Sequence, residues 1–183
     1  IGIVDSNNHI DYRLDTDIGN GEAIDNLTIA DQVPASLKIV SAKVYLVNDD
    51  NSRTDITAQG ALSTTNGNVV WSLNKTSTSN IKDQLVNSSI QVDISTTVNP
   101  TADFSEFRTT GYDAKVPNSY TLQLNSHVYK SNIVYFSPNV QVPNITKSVS
   151  STENGSSNSV INVPFDKKYS YNMTAVVGNT VKL

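Results

Sequence analysis

Three residues in this chain have types and surroundings that suit one reaction. Asp31 closes the apolar run LTIAD just ahead of Val33 and Pro34. Asn132 sits in KSNIVYF, an amide beside apolar neighbours in an alternating stretch. Lys147 follows Pro143 in PNITKSV, between Ile145 and Val149. A buried lysine amine loses its proton and becomes a nucleophile, while a buried aspartate is pushed towards its protonated form. Such an acid can hydrogen-bond an Asn side-chain carbonyl and polarise it. Amine attack, proton transfer through the acid and loss of ammonia would join Lys to Asn by an amide bond. Each residue also has an ordinary reading. Asp31 can be a strand-end or turn acid, Asn132 a strand amide satisfied by backbone groups, and Lys147 a solvated lysine.

A second cluster lies in the long loop Asn99–Ala114. Phe104, Phe107 and Tyr112 stand near Glu106 and Arg108, which suits a loop that binds carbohydrate or a host glycoprotein. Other chemistries find less support. The acidic stretch NDDNSRTD (residues 48–55) lacks the Gly and terminal Glu of an EF-hand loop, so a hairpin turn is the favoured reading there. His9 and His127 are far apart, and there is no cysteine, so neither a thiolate site nor a disulfide scaffold is expected, and no metal or cofactor is assigned. Hydrolase and phosphate-loop motifs do not occur in usable context, so the chain is not read as an enzyme beyond its own cross-linking. The net charge of −4, with no basic stripe, argues against nucleic acid as a partner. No apolar run is long enough to insert in a membrane. The chain opens on Ile1 rather than Met, which reads as an excised or processed segment.

The elements that must position these residues are mostly strands. HIDYRLDTDI (9–18) and AIDNLTIA (23–30) alternate apolar and polar residues. LKIVSAKVYLV (37–47) is a long β-branched run ended by the turn cluster Asn48–Ser52. Asn66-Gly67-Asn68 is a hairpin signal, and Trp71 follows it as a core candidate. SNIKDQLV (79–86) is the one helical candidate, capped by Ser79 or Asn80. SIQVDISTTV (89–98) returns to alternation. VPNSYTLQLNSHVYKSNIVYFSP (116–138) reads as a hairpin turning at Asn125-Ser126-His127, with Asn132 in its second strand. Strand follows strand at short spacing, so the expected fold is all-β, an Ig-like sandwich with one short helix. The expected division is a domain over residues 1–138. Residues 139–183 then form a linker with the opening strands of a following repeat, or a segment packing back on the first domain.

The end of the chain also resembles its beginning. KYSYNMTAVVGN (168–179) lies over HIDYRLDTDIGN (9–20) without gaps, at an offset of 159. Tyr171 falls on Tyr12, Met173 on Leu14 and Gly178-Asn179 on Gly19-Asn20. A repeat of this kind places the opening strand of the first copy upstream of Ile1.

Three motifs resemble the isopeptide-forming domains of Gram-positive surface adhesins and pilins (the fimbrial D2 type and the antigen I/II C-terminal domains). One is a Tyr-bearing strand followed by Asp-x-x-Pro, YRLDTDIGNGEAIDNLTIADQVPASL. Another is the closure VPNSYTLQLNSHVYKSNIVYFSP, with its Ser-Asn. The last is PNITKSV, similar to a domain opening that carries Lys. The resemblance implies an adhesin-type sandwich, with Asp31 as catalytic acid and Asn132 as acceptor amide. The family's opening Lys has no counterpart, because residues 1–37 contain no lysine. Lys147 matches an opening Lys, whose own partners would follow Leu183 or which would fold onto Asp31 and Asn132. The implied function is a structural stalk or display domain, extracellular and attached to the cell wall, in contact with neighbouring repeats. A ligand-binding adhesin module is the competing reading.

Overall fold

The computed structural model describes residues 9–18, 23–85, 88–99, 102–109, 114–138, 144–151, 155–157 and 168–176. They fall into two compact units, one within Val4–Pro138 and a smaller one within Asn139–Thr180.

In the larger unit, alternation sets strands β1 (His9–Asp17) and β2 (Leu27–Gln32). The β-branched run forms β3 (Leu37–Asn48), followed by β4 (Arg53–Asp55), β5 (Ala61–Ser63) and β6 (Asn68–Leu73). Helix α1 (Lys75–Leu85) leads into β7 (Ser88–Val98). The unit closes with β8 (Val116–Asn118), β9 (Tyr120–Leu124), β10 (His127–Lys130) and β11 (Val134–Phe136). One sheet has the order β1-β7-β3-β4, a second β10-β9-β2-β6-β5, and β8 pairs with β11. The inward residues of the two large sheets meet in one core. Leu14, Val44, Ile90, Val92 and Ile94 come from the first; Leu27, Ile29, Val69, Trp71 and Leu122 come from the second. This is the expected all-β sandwich, with residues alternating between core and solvent.

Two local expectations change. The helix starts four residues earlier than its sequence suggested. Asn74, rather than Ser79 or Asn80, caps it by accepting the Ser77 N–H at 3.0 Å. Ser79 lies inside the helix, where its hydroxyl bonds the Lys75 carbonyl at 2.8 Å. The second change concerns the terminal hairpin. Its turn forms as expected, with Asn125 at φ 52° and Leu124 opposite His127. Its second strand, however, breaks after Lys130. Ser131 N–H bonds the Tyr120 carbonyl at 3.0 Å, and Ser131 Oγ accepts the Tyr120 N–H, also at 3.0 Å. This ends the ladder on β9, and the chain crosses to β8 as β11.

In the smaller unit, the Ser/Asn/Gly-rich stretch contains β12 (Asn144–Ser151) and β13 (Gly155–Ser157), and β14 (Tyr169–Val176) follows. They form a sheet of order β13-β12-β14. Among the described residues, no helix is long and apolar enough to cross a membrane.

Candidate functional site

Period-two geometry builds the site. In β2, Leu27, Ile29 and Asp31 share the inward face, so the acid takes a core position and is fully buried. In β8, Val116 and Asn118 point inward on either side of exposed Pro117. In β1, Tyr12, Leu14 and Thr16 do the same. The three inward faces bring Asp31, Asn118 and Tyr12 to one place.

Asn118 Nδ2 donates to Asp31 Oδ2 at 3.0 Å, both side chains being buried. Asp31 Oδ1 and the Tyr12 hydroxyl are buried and have no hydrogen-bond partner among the described residues. Burial pushes the Asp31 carboxyl up to about 6, against the opposing pull of the Asn118 hydrogen bond. Burial also raises the Tyr12 hydroxyl, and the nearby charge of Asp31 raises it further. The cluster is therefore an acid that titrates near neutrality, an amide on one of its oxygens and a neutral phenol close by.

The structure places Asp31 inside and brings Asn118, not Asn132, against it. Asn132 lies exposed between β10 and β11, and its backbone carbonyl accepts the Ser131 hydroxyl at 2.8 Å. The strand break at Ser131 takes it out of the ladder and away from the core, so the amide on Asp31 is Asn118. The signal was present in VPNSY, where alternation turns Asn118 inward with Val116. Tyr12 was equally legible from its spacing to Leu14.

Lys147 belongs to β12 in the smaller unit, opposite Met173, with Nζ 4.5 Å from the centre of the Tyr171 ring. In the larger unit, Lys38, Lys43, Lys75, Lys115 and Lys130 are all exposed. No lysine whose side chain is described there is buried beside Asp31.

The loop proposed for ligand binding is built differently from expectation. Phe104 is fully buried and meets the Phe136 ring edge-on, centroids 6.2 Å apart. It is a core anchor and offers no surface to a ligand. Phe107 is half-buried, Glu106 and Arg108 are exposed, and Tyr112 lies outside the described residues. Lys115 N–H bonds the Phe107 carbonyl at 3.0 Å, which ties the loop back to the strand that follows. In the acidic stretch, Asp50 and Asp55 accept the backbone N–H of Ser52 at 2.9 Å and of Thr57 at 3.0 Å, as turn residues do.

No family model matches the chain, and no curated protein matches it. Solved structures do. The N-terminal domain of the Streptococcus gordonii adhesin Sgo0707 superposes with TM-score 0.56 at 14% identity, over 74% of this chain and 30% of that one. BspA_C_WT superposes with TM-score 0.52 at 17% identity, over 92% of this chain and 53% of that one. The C-terminal domain of the Streptococcus pyogenes antigen I/II-family protein AspA gives TM-score 0.48 at 18% identity, over 73% of this chain and 40% of that one. This chain thus spans well under two thirds of these neighbours. Its fold is the β-sandwich of Gram-positive surface-adhesin domains.

Proposed function

We propose that this chain is a stalk or display segment of a bacterial cell-surface adhesin, extracellular and attached to the cell wall, in which Asp31 and Asn118 form the acid and acceptor of a Lys–Asn cross-link. The observation that carries the reading is the buried Asp31–Asn118 pair, beside two buried polar atoms that lack partners among the described residues. A buried charge with an incomplete set of partners is costly, so such a cluster usually has a use. The sandwich fold, shared with adhesin domains, supports the same reading.

The chemistry follows from the atoms. A neutral lysine amine attacks Asn118 Cγ. The amine proton passes to the Asp31 carboxylate, which hands it to Asn118 Nδ2, the atom it already holds. The Cγ–Nδ2 bond breaks, ammonia leaves and Asp31 returns to its starting state. The product is an internal tie that neither reduction nor denaturant opens. The domain catalyses nothing else.

The lysines whose side chains are described in the larger unit are all exposed, so the donor amine lies outside them. Intact-mass measurement tests this: a wild-type chain lighter by one ammonia, with the loss abolished in Asn118→Ala, is the expected result. An unmodified mass for the chain joined to its neighbouring segments removes the cross-link.

A second reading is a module binding carbohydrate or host glycoprotein. It is favoured by the exposed apolar residues Val128 and Tyr129 of β10, Val134 and Tyr135 of β11, and Ile133 between them. A glycan and mucin array separates the two, since a spacer gives no signal and a binding module loses its signal in Tyr129→Ala and Tyr135→Ala.

A further inference from the structure

Most buried polar side chains of the larger unit have partners. Thr16 meets the Tyr120 hydroxyl, Gln91 donates to the Asp15 carboxylate, Thr78 to the Asn74 carbonyl and Thr96 to the Ile10 carbonyl. The Tyr12 hydroxyl and Asp31 Oδ1 have none among the described residues. Neither does Ser36 Oγ, which lies past Pro34 in the link to β3. Tyr12 and Asp31 stand on the inward faces of different sheets, in β1 and β2. They are close enough for the Asp31 charge to act on the phenol. Leu14 and Ile94 flank Tyr12, and Ile29 and Val69 flank Asp31. All four are buried, and none has a side chain that can form a hydrogen bond. Two polar atoms left alone in so dry a place are costly, and one group that serves both removes the cost.

Asn118 Nδ2 occupies Asp31 Oδ2, so Oδ1 is the carboxylate oxygen left over. A neutral primary amine has two N–H groups and one lone pair. If the two N–H groups go to Asp31 Oδ1 and the Tyr12 oxygen, the lone pair stays open for a carbonyl carbon. A secondary amine has one N–H and can satisfy only one of the two oxygens. We propose that Asp31 Oδ1 and the Tyr12 hydroxyl oxygen together seat one primary amine, with Tyr12 as the residue that positions it for Asn118 Cγ. With Asp31 alone, an amine could turn about a single hydrogen bond. The second acceptor fixes its orientation, which is where much of the rate of such a reaction comes from. The proposal rests on the cross-link reading for the bond, but the amine's seat does not need the bond to form.

The test adds methylamine or dimethylamine to the 183-residue protein and follows the Asn118 side-chain amide by NMR. Methylamine should bind about tenfold more tightly than dimethylamine, the worth of one further hydrogen bond. In Tyr12→Phe, which keeps the ring and loses the oxygen, that preference should vanish. A preference that survives in Tyr12→Phe reports size alone and overturns the proposal, as does equal binding to the wild-type protein. Isotope labelling of the tyrosine carbon that bears the hydroxyl reads the same contact in unaltered protein, and so decides even where Tyr12→Phe fails to fold. A Tyr12 signal unmoved by methylamine overturns the seat. Intact mass is read on the same samples. Attack by methylamine joins its nitrogen to Asn118 Cγ, breaks Cγ–Nδ2 and releases ammonia, which carries off the amine's proton. Seating without this N-methyl amide removes Asn118 as acceptor and keeps the seat. An N-methyl amide formed equally fast in Tyr12→Phe removes the seat and keeps the acceptor. Where the chain is made already lighter by one ammonia, the rate of that loss is compared instead. A rate about tenfold slower in Tyr12→Phe supports the seat, and an equal rate overturns it.

Discussion

Asn118 Nδ2 lies 3.0 Å from Asp31 Oδ2, and the two residues come from strands 87 positions apart in the chain. The pair joins β8, outside the two large sheets, to a central strand of one of them. Removing either partner leaves the other stranded in a dry place. Asn118→Ala is expected to lower stability by about 2 kcal/mol, since it strips a buried carboxyl of the one donor it has among the described residues. Urea denaturation at pH 7 measures it. A midpoint unchanged from wild type would mean that water reaches Asp31.

The same carboxyl makes stability depend on pH. Its folded value of about 6 lies above its unfolded value. The folded state therefore binds the proton more tightly, and between the two values the unfolded chain carries fewer protons. Stability from this group is fully present below about pH 4 and is lost as pH rises through 6, by about 3 kcal/mol at most. The denaturation midpoint, corrected by the Asp31→Asn variant under the same conditions, should fall from pH 4 to pH 7. An Asp31→Asn profile parallel to wild type would show that Asp31 does not titrate in this window.

Phe104 and Glu106 stand two positions apart in one loop and should behave oppositely. Phe104→Ala opens a cavity against Phe136 and is expected to cost about 3–5 kcal/mol. Glu106→Ala, at an exposed site, should stay within about 0.5 kcal/mol. Thermal denaturation of the two variants checks the contrast, and similar losses would contradict the placement of Phe104 in the core.

Gly60 sits against the indole of Trp71. A Cβ added there would stand 2.6 Å from Trp71 Cε2 and 2.7 Å from the Ser72 carbonyl oxygen. Its backbone is extended, so contact and not conformation forbids a side chain. Gly60→Ala should displace the ring, strain its hydrogen bond to the Thr57 carbonyl at 3.2 Å, and cost about 1–3 kcal/mol. Tryptophan fluorescence and near-ultraviolet dichroism report the displacement directly. A native-like spectrum at native stability would overturn it.

Much of the sandwich could be read from alternation, because a strand with one wet face and one dry face must repeat every two residues. His9–Asp17, Leu27–Gln32 and Ser88–Val98 carried that signal plainly, and the same count put Asp31 inside. The terminal stretch misled for a physical reason. Its apolar residues Ile133 and Tyr135 keep the period of two, yet both are exposed, as is Val134 between them. The stop is made by Ser131, whose main chain and hydroxyl both bond Tyr120, and nothing in periodicity announces it. Asn132 was therefore placed inside and Asn118 passed over. The helix start was missed in a similar way: Ser79 is a good cap by type, but Asn74 comes first.

Tyr120 joins more of this domain than its size suggests. Its backbone lies opposite Asp31 and holds Ser131, while its hydroxyl donates to the Asp15 carbonyl of the other sheet and lies 3.3 Å from Thr16 Oγ1. One side chain thus bolts the two layers together at the edge where they would otherwise peel apart. Under tension the domain should hold its full length until Tyr120 lets go, and then lengthen in one step rather than unravel strand by strand.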